Sequence, residues 1–161
     1  MEFEKIVELI QTINEGVVAV DSAASPNTVT IDPDKLIMIS HELHKNPLTY
    51  FDMLSCVTGI DNGVEANTME VIYHLYSIPF NSSLMLKVIL PRENPEVASL
   101  SGVWKSANWL EREVYDMFGI KFKNHPDLRR ILMPNDWEGY PLRKDYQHQE
   151  LYRGIEVKSS Q

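Results

Sequence analysis

With 161 residues, 43% of them hydrophobic, the chain has room for one packed core and is too apolar for a disordered protein. A formal net charge of −8 argues against nucleic acid as the main partner, and a single cysteine, Cys56, excludes an internal disulfide. No apolar run reaches the ~18 residues of a membrane span, and the acidic residues 1–5 do not open a signal peptide, so a cytosolic chain with no span of its own is expected.

Phe3, Ile6, Val7, Ile10 and Ile13 recur at helical spacing, which predicts an amphipathic helix that stops at Gly16. Residues 17–20 and 28–31 are short β-branched runs and read as two strands, a candidate hairpin. Asp32-Pro33 opens the next helix, with an N-cap carboxylate followed by proline at the first helical position. Its apolar residues are Leu36, Ile37, Ile39 and Leu43, and Asn46-Pro47 stops it, because the residue before proline avoids the helical region. Residues 49–60, 69–77 and 84–90 are three strand-like stretches joined by Asp61-Asn62-Gly63 and Asn81-Ser82-Ser83, which favours antiparallel pairing. In the middle one, Met69, Val71, Tyr73 and Leu75 alternate with Glu70, Ile72, His74 and Tyr76, the period of a half-buried strand.

After a linker at residues 91–95, a helix is predicted from Ser99 or Ser101 to Phe118, with Gly119 as its C-terminal glycine. It is not cleanly amphipathic, which suits a helix covered on more than one side. The order α-β-β-α-β-β-β-α implies an α/β (α+β) fold with helices packed on one face of a mixed or antiparallel sheet.

Residues 120–161 break this pattern, so residues 1–119 are read as an α/β domain and residues 120–161 as an extended C-terminal tail. The tail lacks a period of 2 or 3.6, yet it holds Phe122, Trp137, Tyr140, Tyr146 and Tyr152, five of the chain's fifteen aromatics. Residues 1–118 carry 7 Lys and Arg against 17 Asp and Glu; residues 119–161 carry 8 against 6. An irregular segment this long is uncommon inside a compact domain. Its aromatics and arginines are the residue types that dominate interface energetics, so it reads as a strap, over its own domain or over a neighbour.

The sequence offers no catalytic ligand set. Cys56 cannot hold an iron–sulfur cluster alone and is expected to be a small buried hydrophobe in a strand. His41 and His44 lack zinc-protease spacing and are expected on a solvated helix face. No glycine-rich nucleotide motif or nucleophile elbow is present. Glu111, Glu113 and His125 allow the distant alternative of a free-standing acid–base enzyme. A structural role fits them better, with Arg112 pairing Asp116 at i, i+4 and Glu111 or Glu113 meeting Arg129 or Arg130 where the tail folds back.

Residues 107–120 (ANWLEREVYDMFGI), residues 125–134 (HPDLRRILMP) and residues 136–146 (DWEGYPLRKDY) resemble the signature of the 30 kDa subunit of respiratory complex I, the C-type subunit of bacterial NADH–quinone oxidoreductases. The resemblance implies a structural and assembly subunit in the peripheral arm, unfused to its neighbour, on the cytoplasmic side of the inner membrane. It implies that no catalytic site or cofactor belongs to this chain: FMN and the Fe–S clusters sit in other subunits. Those subunits pass electrons from NADH to quinone, coupled to proton translocation. It also implies that the tail wraps partners, above all the B-type subunit with the terminal 4Fe–4S cluster and the D-type 49 kDa subunit. Related membrane-bound hydrogenases, F420H2 dehydrogenases and photosynthetic NDH-type complexes use an equivalent scaffold. The residues expected to act structurally or at the interface are Trp109, Glu111, Arg112, Glu113, Asp116, Arg129, Arg130, Trp137, Tyr140, Arg143 and Tyr146.

Overall fold

The fold is taken from a computed structural model that describes residues 3–15 and 18–157. The elements are α1 (Phe3–Asn14), β1 (Ala19–Asp21), β2 (Thr28–Thr30), a 3-10 turn (Pro33–Lys35), α2 (Leu36–Lys45), β3 (Met53–Asp61), β4 (Thr68–Ser77), β5 (Ser82–Pro91), β6 (Glu96–Ala98), α3 (Ala107–Phe118) and β7 (Lys121–Lys123), then a hairpin of β8 (Leu151–Tyr152) and β9 (Ile155–Glu156). The expected order is present, with short strands added around and after α3. The expected stop of α1 at Gly16 lies outside the described residues.

The main sheet runs β1-β2-β5-β4-β3. β3, β4 and β5 pair antiparallel through their turns, whereas β2 lies parallel to β5 with Val29 opposite Leu86, so the sheet is mixed. Period-2 alternation sets its two faces. Met69, Val71, Tyr73, Leu75 and Ser77 of β4 are all buried, and Leu90, Val88, Leu86 and Leu84 of β5 lie directly across from the first four. Ile6 and Ile10 of α1, Leu36, Ile39 and Leu43 of α2 and Val114 of α3 join this face in one core. Each such fully buried aliphatic side chain is worth about 1.5–3 kcal/mol. Asp32 caps the 3-10 turn through the N–H of Asp34 at 2.9 Å, and Asn46 leaves α2 in an extended conformation, as the prolines after each residue dictate.

Several boundaries and faces differ from expectation. β3 starts at Met53 rather than 49, because residues 46–52 turn back on α2: Thr49 Oγ1 and the Phe51 N–H both donate to the Leu43 carbonyl at 2.9 Å. α3 starts at Ala107 rather than near residue 100, because residues 99–106 are fixed by side chains; the Trp104 indole N–H, for one, donates to the Phe51 carbonyl at 3.0 Å. Ile37 faces outward with Met38, and Leu36, Ile39, Ser40 and Leu43 make the inner stripe of α2. His44 does not sit on a solvated face, since Nδ1 lies 3.0 Å from the Phe51 carbonyl and its ring packs edge-on to Trp104. Cys56 is exposed, not buried. The ladder slips between Leu54 and Cys56, so Ser55 is an extra residue, both side chains point out, and alternation resumes inward at Val57.

α3 crosses β3 at Gly59, where an added Cβ would stand 2.7 Å from the Phe118 ring and 3.0 Å from Val114, so only glycine permits this approach. Ile120 and Phe122 are core residues, and β7 pairs parallel with β6, opposite Val97. The body therefore continues through Lys123, and the extended segment begins at Asn124.

Candidate interaction site

The extended segment is fastened to the body at two buried aspartates. Asp116, in the last turn of α3, is fully buried. Its Oδ2 accepts three successive backbone N–H groups, from Ile131 at 3.0 Å, Leu132 at 2.7 Å and Met133 at 2.9 Å, and its Oδ1 accepts the Arg130 guanidinium at 2.8 Å. Burial pushes the Asp116 pKa up, but those N–H donors and Arg130 together outweigh it, so the carboxyl stays below the usual carboxylate range. An acid in the last helical turn opposes the helix dipole; here three amides and a guanidinium neutralise it.

The second anchor is Asp61 at the end of β3. Arg92 meets it with two parallel bonds, Nε to Oδ1 at 2.8 Å and Nη2 to Oδ2 at 3.0 Å, and the same Nη2 holds Asp145 at 2.6 Å. The Asp61 carboxylate also accepts the N–H of Gly63 and of Lys144, both at 2.9 Å. The Arg92 hydrogen bond, set against burial and helped by the two amides, drives the Asp61 pKa far below the usual range, and Arg92 is raised in turn.

Between these anchors, Tyr140 lies on the C-terminal end of α3. Its ring packs edge-on to Tyr115 and carries the Arg130 and Arg143 guanidinium groups 5.0 and 5.2 Å from its centre. Arg143 Nε donates to the Phe118 carbonyl at 2.7 Å, a cation where the helix dipole favours one. Gly119 has φ +74°, and a Cβ there would sit 2.5 Å from the Tyr140 ring. Gly119→Ala should therefore cost about 1–2 kcal/mol for the left-handed backbone alone and should also displace Tyr140. Chemical denaturation and near-ultraviolet circular dichroism check this, and an unchanged midpoint would count against the packing described. Farther along, the Trp137 indole N–H donates to the Tyr146 hydroxyl at 2.9 Å, and Trp137 packs on Tyr152 of the terminal hairpin.

The residues expected to act together divide into those that do and those that do not. Asp116, Arg130, Tyr140 and Arg143 form one cluster; Trp137 and Tyr146 form a second. Arg112 does not pair with Asp116. It stacks 4.7 Å over Trp109, donates through Nε to the Arg129 carbonyl at 3.2 Å and approaches Asp127 at 3.8 Å. The helix geometry that brings positions 112 and 116 near each other is overridden by the strap, which offers each a better partner. Glu111 and Glu113 meet neither Arg129 nor Arg130. Glu113 is exposed, Arg129 is exposed and bonds Asp127, and Glu111 points into the body, where it accepts Ser99 Oγ at 2.6 Å and the Leu100 N–H at 2.7 Å. The Glu111 and His125 side chains are both 0% exposed, so a substrate cannot reach the pair. Asp61 and Arg92 carry no signal in the sequence, and Asp145, though inside the resembling stretch 136–146, has no partner indicated there. Asp61 reads as a turn residue and Arg92 as part of a linker, and only long-range folding joins them.

The outer surface of the strap sets a few large apolar side chains among charged and polar ones. Leu132, Leu142, Leu151 and Ile155 are exposed, as is the neighbouring Trp109 of α3. The inner side of the segment is thus satisfied by its own domain, while hydrophobic side chains face outward. Among the described residues, no three His, Cys, Asp or Glu side chains group to hold a metal ion, and no helix is long and apolar enough to cross a membrane.

An α+β body that carries an irregular arm, clamped to it by buried aspartates and bearing exposed leucines, has the build of a docking protein within a larger assembly. Residues 29–152 match the family model for the respiratory-chain NADH dehydrogenase 30 kDa subunit, and the chain belongs to that family. The C-type subunit of the NADH-quinone oxidoreductase of Geobacter sulfurreducens is 42% identical over 154 residues, covering 92% of this chain and 94% of that protein. Its counterpart in Chloroherpeton thalassium is 46% identical over 108 residues, 66% of this chain, but the match spans only 44% of that longer protein. Among solved structures, a trypsin-resistant fragment (1-134) of Nqo5 aligns with TM-score 0.64 at 28% identity, covering 80% of this chain and 100% of the fragment. A chain of an archaeal membrane-bound sulfane sulfur reductase aligns with TM-score 0.74 at 20% identity, over 91% of this chain and 86% of its own, a likeness of fold.

Proposed function

We propose that this chain is the C-type subunit of an NADH–quinone oxidoreductase, with a structural and assembly role in its peripheral arm. Family membership carries the reading, together with relatives of nearly equal length that bear that name. The enzyme it serves passes electrons from NADH through FMN and Fe–S clusters to quinone and translocates protons. The chain itself holds none of those groups and has no catalytic site. In support, a single cysteine cannot supply the ligands of an Fe–S cluster, and the Glu111 and His125 side chains are closed to solvent. The exposed apolar side chains of the strap, with Trp109, dock on the B-type and D-type subunits on the cytoplasmic side of the inner membrane.

A tagged chain expressed in its own host and purified from solubilised membranes should bring down flavin- and cluster-bearing subunits with NADH–quinone reductase activity. Recovery of a nickel–iron hydrogenase, an F420H2 dehydrogenase or a ferredoxin-linked NDH-type complex instead would move the same scaffold to one of those assemblies. Leu132→Asp and Leu142→Asp, outward-facing changes, should leave the chain folded and cut recovery of partners severalfold. Undiminished recovery with both would remove the strap's outer face from the interface.

A further inference from the structure

We propose that Glu111, Ser99 and Ser101 form a buried proton-binding site, in which the Glu111 carboxyl takes up one proton through the two serine hydroxyls. The geometry accommodates both states of the carboxyl. When it is ionised, Ser101 Oγ donates to Ser99 Oγ, 2.8 Å away, and Ser99 Oγ donates to Glu111 Oε2 at 2.6 Å. When a proton arrives, it enters at Ser101, which is half-exposed. Both hydroxyls then reverse: Oε2–H donates to Ser99 Oγ and Ser99 donates to Ser101. One proton enters from water, one ends on Oε2, and no polar contact is lost. The N–H bonds of Leu100 to Oε1 at 2.7 Å and of Ser101 to Ser99 Oγ at 3.1 Å persist in either state.

The titratable groups facing this carboxyl direct the proton to it. His125, at the start of the strap, accepts the Asp127 N–H on Nδ1 at 3.0 Å. Its Nε2 lies 3.0 Å from the Asn108 carbonyl, to which it therefore donates, and 3.9 Å from Glu111 Oε2. Both ring nitrogens are thus already engaged, Nδ1 as an acceptor and Nε2 as a donor. From β4, the Tyr73 hydroxyl is buried without a hydrogen-bond partner, and burial together with the Glu111 charge holds it protonated. Arg112, next along α3, is turned away toward Trp109 and Asp127. Among the described residues, no cation faces Glu111. Burial accordingly raises its pKa to about 7, although the Ser99 and Leu100 bonds pull the other way.

The linkage has a definite sign. A carboxyl whose folded pKa lies above its unfolded value of about 4.3 binds more protons when folded, so stability falls as pH rises between those two values. Over that interval the unfolding constant of the full chain should rise about tenfold per pH unit through this group, levelling above pH ~7. Urea titrations from pH 5 to 8 should show this slope in the wild type and in His125→Gln, and its loss in Glu111→Gln. A slope retained in Glu111→Gln, or abolished in His125→Gln, would overturn the assignment. If Glu111→Gln does not fold, carbon-detected NMR of the wild-type Glu111 carboxyl decides. A midpoint near neutrality supports the site; one below pH ~5 refutes it.

Discussion

Asp116→Ala is expected to release the first half of the strap and to destabilise the chain by roughly 3–5 kcal/mol, the cost of leaving a buried ion pair without one partner. The substitution strips the acceptor from the Ile131, Leu132 and Met133 amides and from Arg130, which is itself largely buried. Each amide regains water only if the segment lifts, so release is the cheaper outcome. Limited trypsin digestion should show faster cutting at Arg129 and Arg130. The body should survive as a fragment, because its core on β4, β5, α1 and α2 does not involve Asp116. Asp116→Asn keeps an acceptor but loses the charge, and should fall between the two. Wild-type cleavage rates in Asp116→Ala would remove this carboxylate from the fastening.

How much of the molecule is legible in its sequence follows from the range of the interactions involved. β4 and β5 are read correctly because a period of 2 depends only on neighbours two residues apart. The same holds for the Asp32 cap and the Asn46-Pro47 stop, where the signal is local backbone chemistry. Cys56 misleads because one inserted residue reverses a strand's faces, and a single chain's sequence does not mark the insertion. The anchors are hidden for a different reason. Lys144 reaches Asp61 across 83 residues of sequence, and no periodicity encodes such a meeting. Asp116 does leave one local clue: an acid in the last turn of a helix with no basic residue in that turn breaks the dipole rule, and such conflicts mark sites completed from elsewhere. Pairing it with Arg112 resolves that conflict within the helix, whereas the strap resolves it from outside.

Arg92→Met should be the second severe change, again about 3–5 kcal/mol, because it leaves the Asp61 carboxylate buried with two amides and no cation. It also frees Asp145, so residues 144–145 should loosen while Asp116 still holds residues 130–133. Amide hydrogen exchange would then separate two fastenings that act on different parts of one strap. The double variant Asp61→Leu with Arg92→Met removes both buried charges together and should be less damaging than Arg92→Met alone, a coupling of about 2 kcal/mol or more in a double-mutant cycle. The pH response discriminates further. Asp61 has a depressed folded pKa, so its contribution is present above the unfolded value of about 3.9 and is lost as pH falls through the folded one. Glu111 acts in the opposite sense, weakening the fold as pH rises toward 7. The double variant should therefore lose much of its acid sensitivity below pH ~4 and keep the neutral-range slope, whereas Glu111→Gln should do the reverse. If both variants altered the same pH range, the two groups would not be independent and the separation of anchor from proton site would fail.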